Sequence, residues 1–388
     1  MTPSGEGARG AVPRLRVRHV VAAADDSGHG VAEAVRRLAG AEQAAGADVE
    51  VLAARPAGKV EGVMVRGHRG EPFPHPALMR SPDLRAALWR SVAAGDVIHA
   101  HNLWTMPVVY AAEAAGRAGC PLVCSTHGAL DPRSLRVSRL KKLAAWWGWQ
   151  RRVLTRVDLF HATSPEEADQ IRRQGLRAPV AVIPHGVDVP GTTQRPAEHG
   201  PRSVAFLGRL HPIKGVDRLL RAWGGLAYDR PDWQLRICGP DGGAARDLRA
   251  LAAGLPRVVF EAGIPAVERA AWFSGCDVLV LPSHGENFGM VVAESLAHGV
   301  PVFASTGTPW RGVVEHGCGW WAANDVAMLE ATLRAATSLE GQTLREMGRR
   351  GREWMIRDFS WPAVAERMLA AYRWLLGTAA RPPDIVTT

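Results

Sequence analysis

The sequence of 388 residues lacks several features that define common protein classes. Its five cysteines are dispersed and include no CxxC pair, which argues against a disulfide framework or a zinc site and predicts buried thiols. It has no run of about 18 uncharged apolar residues, so no membrane-spanning helix is predicted. Its first residues also lack the apolar segment of a signal peptide. We therefore expect a cytoplasmic protein.

Motifs of several common chemistries are missing as well. There is no GxSxG elbow and no P-loop, which argues against the usual serine hydrolases and nucleoside triphosphatases. There is no Asp-x-Asp, and no group of histidines or carboxylates has the spacing of metal ligands. We therefore expect chemistry that uses neither a metal ion nor an organic cofactor.

A glycine pair after the first predicted strand imitates a dinucleotide-binding loop. Gly28 and Gly30 have the spacing of the first two glycines of a GxGxxG motif, and Glu50 follows Gly30 by about the 20 residues that separate that motif from its acidic residue. However, Glu33 occupies the position of the third glycine, and Glu50 lies inside the apolar run of the next predicted strand. We expect no nicotinamide cofactor, although a glycine loop still lets the backbone approach a phosphate or a sugar.

The net charge of +9 is concentrated in one segment, residues 133–156, which holds eight Lys or Arg residues and no acid. Apolar residues recur through it at helical spacing, namely Leu140, Leu143, Trp147 and Leu154. The pattern is typical of a basic amphipathic helix that lies on an anionic membrane or holds an acidic acceptor. The alternative is a solvated basic face above an apolar stripe that packs on the core. Nucleic-acid binding is not expected, because the recognition motifs are absent.

Predicted strands and helices alternate along the chain twice over, which indicates an α/β protein with two parallel sheets. The strands of the first half are predicted at Leu15–Ala23, Val49–Ala53, Asp96–His99, Leu122–Ser125, Leu159–Ala162 and Val180–Ile183. Those of the second half are predicted at Ser203–Leu207, Gln234–Cys238, Val258–Glu261, Val278–Leu281 and Val302–Ala304. A segment rich in Pro, Gly and Thr, 188–201, separates the halves. A helix at 361–376 precedes a tail that we expect to be frayed.

Two glutamates separated by seven residues, Glu286 and Glu294, form the most informative pattern. The apolar run 277–283 predicts a buried strand, and a glycine-rich turn leads into a helix whose first turn contains Asn287, Phe288 and Gly289. The N-terminal N–H groups and dipole of such a helix bind phosphate well. One carboxylate can then hold sugar hydroxyls while the other holds a ribose.

Cations follow another predicted strand, which ends at Leu207. Gly208, Arg209 and Lys214 lie in the turn after it, so both cationic groups project at the carboxyl edge of the sheet, where open α/β folds bind ligands. Together they can stabilise a departing diphosphate, on which negative charge grows as a glycosidic bond breaks.

His127 also follows a predicted strand end, with Gly128 allowing a close approach of the backbone. An imidazole at this edge can contact a sugar hydroxyl or a developing charge. Asp131, four residues further on, can orient it or hold an acceptor hydroxyl. His99 and His101 end a neighbouring strand and are further candidates.

Together these motifs resemble the retaining glycosyltransferases of family 4, in the version associated with bacterial surface polysaccharides. The motifs GRLHPIKG, FEAGIP and GENFGMVVAE carry the resemblance in the second half, and HGALDP, ATSPEEADQI and VIPHGVD carry it in the first. The resemblance implies the GT-B fold, with two Rossmann-like domains whose parallel sheets face an interdomain cleft. It makes 14–187 the acceptor domain and 200–360 the nucleotide-sugar donor domain, with helix 361–376 crossing back to the first.

The resemblance also implies roles for single residues. Arg209 and Lys214 would bind the donor diphosphate, and Glu294 would bind the ribose. Glu286 would hold the transferred sugar, and His127 would lie at the reacting carbon. Further donor contacts are implied for Gly28, Gly30, Gly208, Gly263, Ile264, Asn287, Phe288 and Gly289, and an acceptor contact for Asp131. No carboxylate stands out as a nucleophile, so the resemblance implies retention by front-face attack.

The predicted function is therefore transfer of a hexose from a nucleotide-diphosphate sugar to a saccharide or lipid-linked acceptor in polysaccharide biosynthesis. Two alternatives keep the fold. One is a nucleotide-sugar epimerase or phosphorylase, and the other is a non-catalytic subunit that pairs with a glycosyltransferase.

Overall fold

The computed structural model describes residues 14–25, 29–55, 58–72, 75–191 and 200–387. These residues form two compact units. The first takes its described residues from 1–161, 174–181 and 365–388, and the second from 162–173 and 182–364. Gly28 and residues 192–199 of the predicted linker lie outside the described ranges.

Each unit is built on one sheet. In chain order the strands are β1 Arg16–Val21, β2 Asp48–Ala53, β3 Met64–Gly67, β4 Asp96–His101, β5 Leu122–Ser125, β6 Leu159–Ala162, β7 Val180–Val182, β8 Arg202–Leu207, β9 Trp233–Cys238, β10 Val258–Glu261, β11 Val278–Leu281, β12 Val302–Ser305, β13 Gly319–Ala322 and β14 Ile385–Val386.

Helices connect most successive strands. They are α1 His29–Ala44, α2 Pro82–Ser91, α3 Met106–Ala118, α4 Pro132–Arg136, α5 Arg139–Ala145, α6 Arg151–Leu154, α7 Pro165–Arg173, α8 Val216–Leu226, α9 Ala245–Ala252, α10 Arg269–Ser274, α11 Met290–Ala297, α12 Gly312–Glu315, α13 Val326–Ser338, α14 Gly341–Trp354 and α15 Trp361–Leu375. Short 3-10 turns and two π-helical turns, Trp146–Gln150 and Met355–Phe359, complete the regular structure of the described residues.

Both sheets have the same internal order, and their paired strands are parallel except for the two-residue edge strand β14, which is antiparallel to β7. The first runs β14-β7-β6-β5-β4-β1-β2-β3, and the second runs β10-β9-β8-β11-β12-β13. In each, the first strand of the unit lies beside the fourth, which is the order of doubly wound folds. Strands such as β4, β5 and β11 are buried along their whole length, as expected for parallel strands covered by helices on both faces. The prediction of two parallel α/β domains is confirmed.

The eleven predicted strands are present, with small differences at their ends. Three further strands were not predicted. β3 is a short edge strand with exposed residues, β13 lies in a Trp-rich segment without alternation, and β14 has two residues. The prediction of a frayed tail was wrong: β14 pairs antiparallel with β7, and Arg367 forms an ion pair with Asp384 at 2.6 Å.

The five cysteines are buried thiols, as predicted. Burial raises the pKa of Cys120 and Cys238 to about 11 and that of Cys318 to about 12, because a thiolate is poorly solvated there. Among the described residues, no helix is both long enough and apolar enough to cross a bilayer.

Candidate active site

The second sheet reverses its strand order between β8 and β11, and loops at this point carry the strongest predicted residues. β8 and β11 are parallel neighbours, while β9 and β12 lie on their opposite sides. The loop after β8 contains Gly208 to Lys214, and the loop after β11 contains Ser283 to Gly289. Such a switch point opens a crevice at the carboxyl ends of the strands, which is where open α/β sheets bind ligands.

Lys214 and Glu286 meet at this switch point. The Lys214 ammonium lies 2.6 Å from Glu286 Oε1, and the two side chains are only 19% and 14% exposed. The Ser283 hydroxyl donates to the same oxygen at 2.6 Å. Gly215, with φ of +67°, allows this approach, because a Cβ there would lie 2.3 Å from the carbonyl oxygen of Pro282. The loops after β8 and β11 therefore meet at this switch point.

The loop after β11 enters α11 through Gly289, which has a left-handed φ of +80°. We predicted that the helix would begin at Asn287, but it begins at Met290 because the left-handed residue cannot be helical. Glu286 therefore lies in the loop and Glu294 on the helix, as predicted.

Trp310 holds this loop through a hydrogen bond and a ring contact. Its indole N–H donates to the carbonyl oxygen of Phe288 at 2.5 Å, and the two rings lie 5.1 Å apart. Trp354 and Phe359 complete the aromatic cluster around Trp310. The sequence showed no sign of this arrangement, because the residues come from segments that share no local pattern.

Glu294 is half-buried on α11 and pairs with Arg269, the first residue of α10. Burial raises the pKa of Glu294, and the Arg269 guanidinium opposes that rise. The sequence analysis missed Arg269, since its place beside Glu294 depends on how α10 and α11 pack.

Asn287 is held by a residue distant in sequence. Its amide N–H donates to the Thr163 hydroxyl at 3.3 Å, and that hydroxyl donates to the buried carboxylate of Glu167 at 2.8 Å. The Asn287 carbonyl oxygen Oδ1 is buried and accepts no hydrogen bond from any other described residue. A buried acceptor without a donor is costly, so this atom is suited to a ligand hydroxyl.

The remaining predicted residues of the second unit lie at the same edge of the sheet. Lys214 Cε lies 4.0 Å from the position of a Cβ on Gly208. Arg209 is exposed, and within the described chain no hydrogen bond or ion pair of its guanidinium is found. Gly263 follows β10 and packs against Pro240, where a Cβ would approach to 3.2 Å, and Ile264 packs partly on the core.

In the first unit the strand order reverses between β1 and β4. Gly28 lies outside the described residues, and Gly30 is in the first turn of α1, where a Cβ would meet nothing within 4 Å. Glu50 lies in the interior of β2, as predicted.

His127 follows β5 in a left-handed conformation, with φ of +48°. Asn102 and Trp104, which follow β4, are left-handed as well. This conformation is uncommon for residues other than glycine, and it is found most often where a site requires it. Asp131 caps α4 by accepting from the Arg133 N–H at 2.8 Å, and its acceptor contact stays a prediction.

Behind His127 lies a buried network of polar side chains. His127 Nε2 is 3.1 Å from His101 Nδ1, His101 Nε2 is 2.8 Å from His19 Nδ1, and His19 Nε2 is 2.7 Å from Glu42 Oε2. Glu42 and His19 are fully buried. No local pattern in the sequence points to either residue.

A second line of hydrogen bonds leaves the same glutamate. The Tyr372 hydroxyl donates to Glu42 Oε1 at 3.1 Å and lies 2.6 Å from His99 Nδ1. His99 Nε2 and His161 Nδ1 each lie 2.6 Å from the Ser125 hydroxyl. Burial lowers the pKa of His99 and His101 well below the ordinary value, with a further contribution from the neighbouring imidazoles.

Three of these imidazoles are close enough together to raise the question of a metal ion. One nitrogen each of His19, His99 and His101 lies within 4.8 Å of the others. However, both nitrogens of each ring are hydrogen-bonded within the network. The facing nitrogens of His19 and His101, 2.8 Å apart, are also closer than the about 3.3 Å expected for two ligands of a tetrahedral zinc ion. We therefore assign no metal to the cluster.

The basic segment is helical from Arg139 to Leu154, and the π turn at Trp146–Gln150 accommodates Gly148 without a break. Its apolar residues do not form one core-facing stripe. Leu140 is 82% exposed and Trp147 69%, whereas Leu154 is buried. Leu143 is exposed too. The alternative in which this stripe packs on the core is wrong for these three outward residues.

A polar residue of this segment is buried as well. Gln150 is fully buried in the π turn. Its side-chain oxygen accepts a hydrogen bond from the backbone N–H of Trp104 at 2.8 Å. The segment is thereby attached to the left-handed loop after β4.

Comparison with known proteins identifies both halves. Residues 28–189 match the family described as Glycosyltransferase Family 4, and residues 193–354 match Glycosyl transferases group 1. The D-inositol 3-phosphate glycosyltransferase of Thermobispora bispora is 31% identical over 313 residues, which are 71% of this chain and 70% of that protein. The phosphatidyl-myo-inositol mannosyltransferase of Mycobacterium leprae is 30% identical over 366 residues, 88% of this chain and 92% of that protein.

A solved structure with the same fold is that of Anabaena HepE in complex with UDP and glucose. It superposes with a TM-score of 0.68 at 19% identity and covers 92% of this chain and 98% of the other.

Proposed function

The chain belongs to the group 1 glycosyltransferases of family 4, which have the GT-B fold, and we propose that it moves a hexose from a nucleotide-diphosphate sugar to a saccharide or lipid-linked acceptor. The names of two relatives support an acceptor of the inositol type, either as a phosphate or as a phospholipid headgroup. The HepE complex with UDP and glucose supports a nucleotide-sugar donor.

The contact of Lys214 with Glu286 carries this proposal. An ammonium and a carboxylate, both mostly buried, meet where the strand order of the second sheet reverses. We assign Lys214 and the exposed Arg209 to the donor diphosphate, on which charge develops as the sugar leaves. Glu286 then holds hydroxyls of the transferred sugar. In the absence of a donor the two charges neutralise each other.

Other contacts of the donor follow from the same loops. We assign Glu294 to the ribose, the backbone at Gly263 and Ile264 to the base, and the Asn287 side-chain oxygen to a sugar hydroxyl. The last assignment rests on the buried position of that oxygen and on its lack of a donor among the described residues.

The proposed reaction retains the configuration of the sugar and needs no metal ion. The bond from the anomeric carbon to the diphosphate breaks, and a bond to the acceptor oxygen forms on the same face. The acceptor hydroxyl gives its proton to the departing phosphate oxygen. Cationic side chains supply the charge that a metal ion supplies in other glycosyl transfers.

We further propose that the segment 133–156 rests on an anionic membrane surface, on the cytoplasmic side. The exposure of Leu140, Leu143 and Trp147 supports this, since apolar side chains amid Lys and Arg suit the interface of an acidic bilayer. Arg151 stacks on the Trp147 ring, 5.3 Å from its centre, and so keeps a cation beside this exposed aromatic side chain. Such a position fits an acceptor embedded in lipid and a role in surface-polysaccharide assembly.

A donor screen tests the proposed function. Thermal unfolding is followed with UDP, GDP, dTDP and ADP sugars, because a bound donor raises the unfolding temperature by mass action. The sugar that stabilises the protein is then incubated with and without a phosphatidylinositol or saccharide acceptor, and with excess EDTA. We expect product only with the acceptor and an unchanged rate in EDTA. Conversion of the sugar without an acceptor would instead establish the epimerase alternative.

A further inference from the structure

Resting on the proposed place of His127 at the reacting carbon, we propose that Glu42, His19 and His101 are positioning residues that fix the tautomer and the orientation of His127. They form one hydrogen-bonded line from the core of the first unit to that imidazole. We call this line, Glu42–His19–His101–His127, the histidine line.

The members of the histidine line come from four elements of one unit. Glu42 lies on α1, His19 on β1, His101 at the end of β4, and His127 in the turn after β5. The three contacts measure 2.7, 2.8 and 3.1 Å. His101 is 2% exposed, and the two residues behind it are inaccessible to solvent. Bulk water therefore does not reach these three residues.

The direction of each hydrogen bond follows from the donor inventory. As a carboxylate, Glu42 can only accept, so His19 donates from Nε2 and its Nδ1 carries the lone pair. His101 must then donate from Nε2 to His19, and its own Nδ1 accepts. His127 consequently donates from Nε2, which leaves the lone pair of His127 on Nδ1.

A neutral imidazole has one donor and one acceptor, so these directions apply when His19 and His101 each carry one proton. A second proton on His19 would reverse the line and place the proton of His127 on Nδ1, which is the outcome that overturns the proposal. Burial lowers the pKa of His101 well below its ordinary value, and the facing imidazoles of His19, His99, His127 and His161 add to the effect. A second proton on His101, which lies between His19 and His127, is therefore strongly disfavoured at neutral pH.

The second line from Glu42 is polarised in the same way. The Tyr372 hydroxyl donates to Glu42, His99 donates from Nδ1 to Tyr372, Ser125 donates to His99, and His161 donates from Nδ1 to Ser125. Each proton of the buried network thus has one acceptor, and both lines end on the same carboxylate. The hydrogen bonds of the second line lead from Glu42 to His161 and not to His127, so this line provides an internal control.

The fixed tautomer has a chemical consequence. With its lone pair on Nδ1, His127 can only accept a hydrogen bond at that nitrogen, so a sugar hydroxyl bound there would donate rather than accept. A single orientation of that hydroxyl is then favoured before reaction, which lowers the entropy that must be lost in the transition state.

The tautomer can be measured without any assay of activity. Protein labelled with nitrogen-15 in histidine gives two-bond proton–nitrogen correlations that distinguish the two neutral tautomers, and His127→Gln identifies the signal of His127. We expect the proton of His127 on Nε2 in the wild-type protein. A proton on Nδ1, or a mixture of the two tautomers, would overturn the proposal.

Glu42→Gln tests whether the Glu42 carboxylate sets the tautomer of His127, since glutamine has the same shape but can donate as well as accept. We expect kcat to fall about 10- to 100-fold, KM for the donor to stay within about threefold, and His127 to lose its single tautomer. Tyr372→Phe is the matched control, because it cuts the second line at the same carboxylate and leaves the histidine line intact. We expect it to keep kcat within about threefold.

The outcomes separate this inference from the proposed function. A wild-type protein that transfers no sugar refutes the function, while the tautomer of His127 still decides the inference. If His127→Gln abolishes transfer but folded Glu42→Gln keeps the wild-type rate, only the inference is refuted. It is refuted as well if Tyr372→Phe costs as much activity as Glu42→Gln, since the effect would then be a general loosening of the core. Should Glu42→Gln not fold, the wild-type tautomer alone provides the test.

Discussion

Lys214 and Glu286 lie 2.6 Å apart although 72 residues separate them in the sequence. The short 3-10 turn Pro212–Lys214 brings the ammonium over the end of β11, and Gly215 lets the two backbones touch. The distance between the two charges is thus determined by the sheet order, in which β8 and β11 are neighbours.

Replacement of Lys214 should impair the chemical step. In Lys214→Ala the developing charge on the diphosphate loses a buried cation, so we expect kcat to fall about 100- to 1000-fold. Steady-state kinetics with the donor found in the thermal screen provide the measurement. Lys59→Ala, which removes an exposed lysine of the first unit, should leave kcat unchanged. A variant at Lys214 that retained the wild-type rate would remove this residue from the donor site.

The half-buried carboxylate of Glu294 should make stability depend on pH. Its pKa is raised in the folded protein, so the native state holds this proton at a higher pH than the unfolded chain does. The stabilising contribution is therefore fully present below the ordinary pKa of 4.5 and is lost as pH rises through the folded value. Relative to Glu294→Gln, the wild-type protein should become more stable as pH falls from neutral toward 5. Chemical unfolding at several pH values measures the difference, and Glu346→Gln, an exposed site, should show none.

The exposed apolar side chains of the basic segment should bind lipid. We expect the double variant Leu140→Ser with Trp147→Ser to bind vesicles of phosphatidylglycerol and phosphatidylcholine at least about 10-fold more weakly, because two apolar side chains no longer enter the bilayer. Vesicle sedimentation measures the affinity. Val267→Ser is the control, since Val267 is 89% exposed but lies in the second unit. If the wild-type protein sediments no more with acidic vesicles than with neutral ones, the membrane proposal fails.

Removal of the last strand should destabilise the first unit. A chain that ends at Arg381 loses the pairing of β14 with β7 and the ion pair of Arg367 with Asp384. We expect a loss of about 1–3 kcal/mol in the free energy of unfolding, measured by urea titration. Arg373→Ala, on the same helix as Arg367, should have a much smaller effect. Equal stability of the shortened chain would contradict the structural role of the tail.

The sequence predicted those parts of the site that local patterns encode. An apolar strand, a glycine turn and a helix were enough to locate Glu286 and Glu294, and a strand followed by Gly208 was enough to locate Lys214. Partners brought together by packing left no such pattern. Arg269 is 25 residues from Glu294, and His19 is 82 residues from His101. No periodicity relates positions so far apart.

The basic segment illustrates another limit of the sequence. Helical spacing shows which apolar residues share a face, but not whether another element covers that face. Leu154 is covered and Leu140 is not, although both fit the same pattern. The tail was missed for a different reason, since a strand of two residues is too short to alternate.

The first unit contains residues from both ends of the chain, so it cannot be completed until the last residues have been synthesised. The residues of the second unit, 162–173 and 182–364, have all been synthesised before α15 is complete, whereas the first unit also needs residues 365–388. Until Tyr372 arrives, the carboxylate of Glu42 lacks one of its two donors. The part of the protein that is made first is therefore the last to be completed.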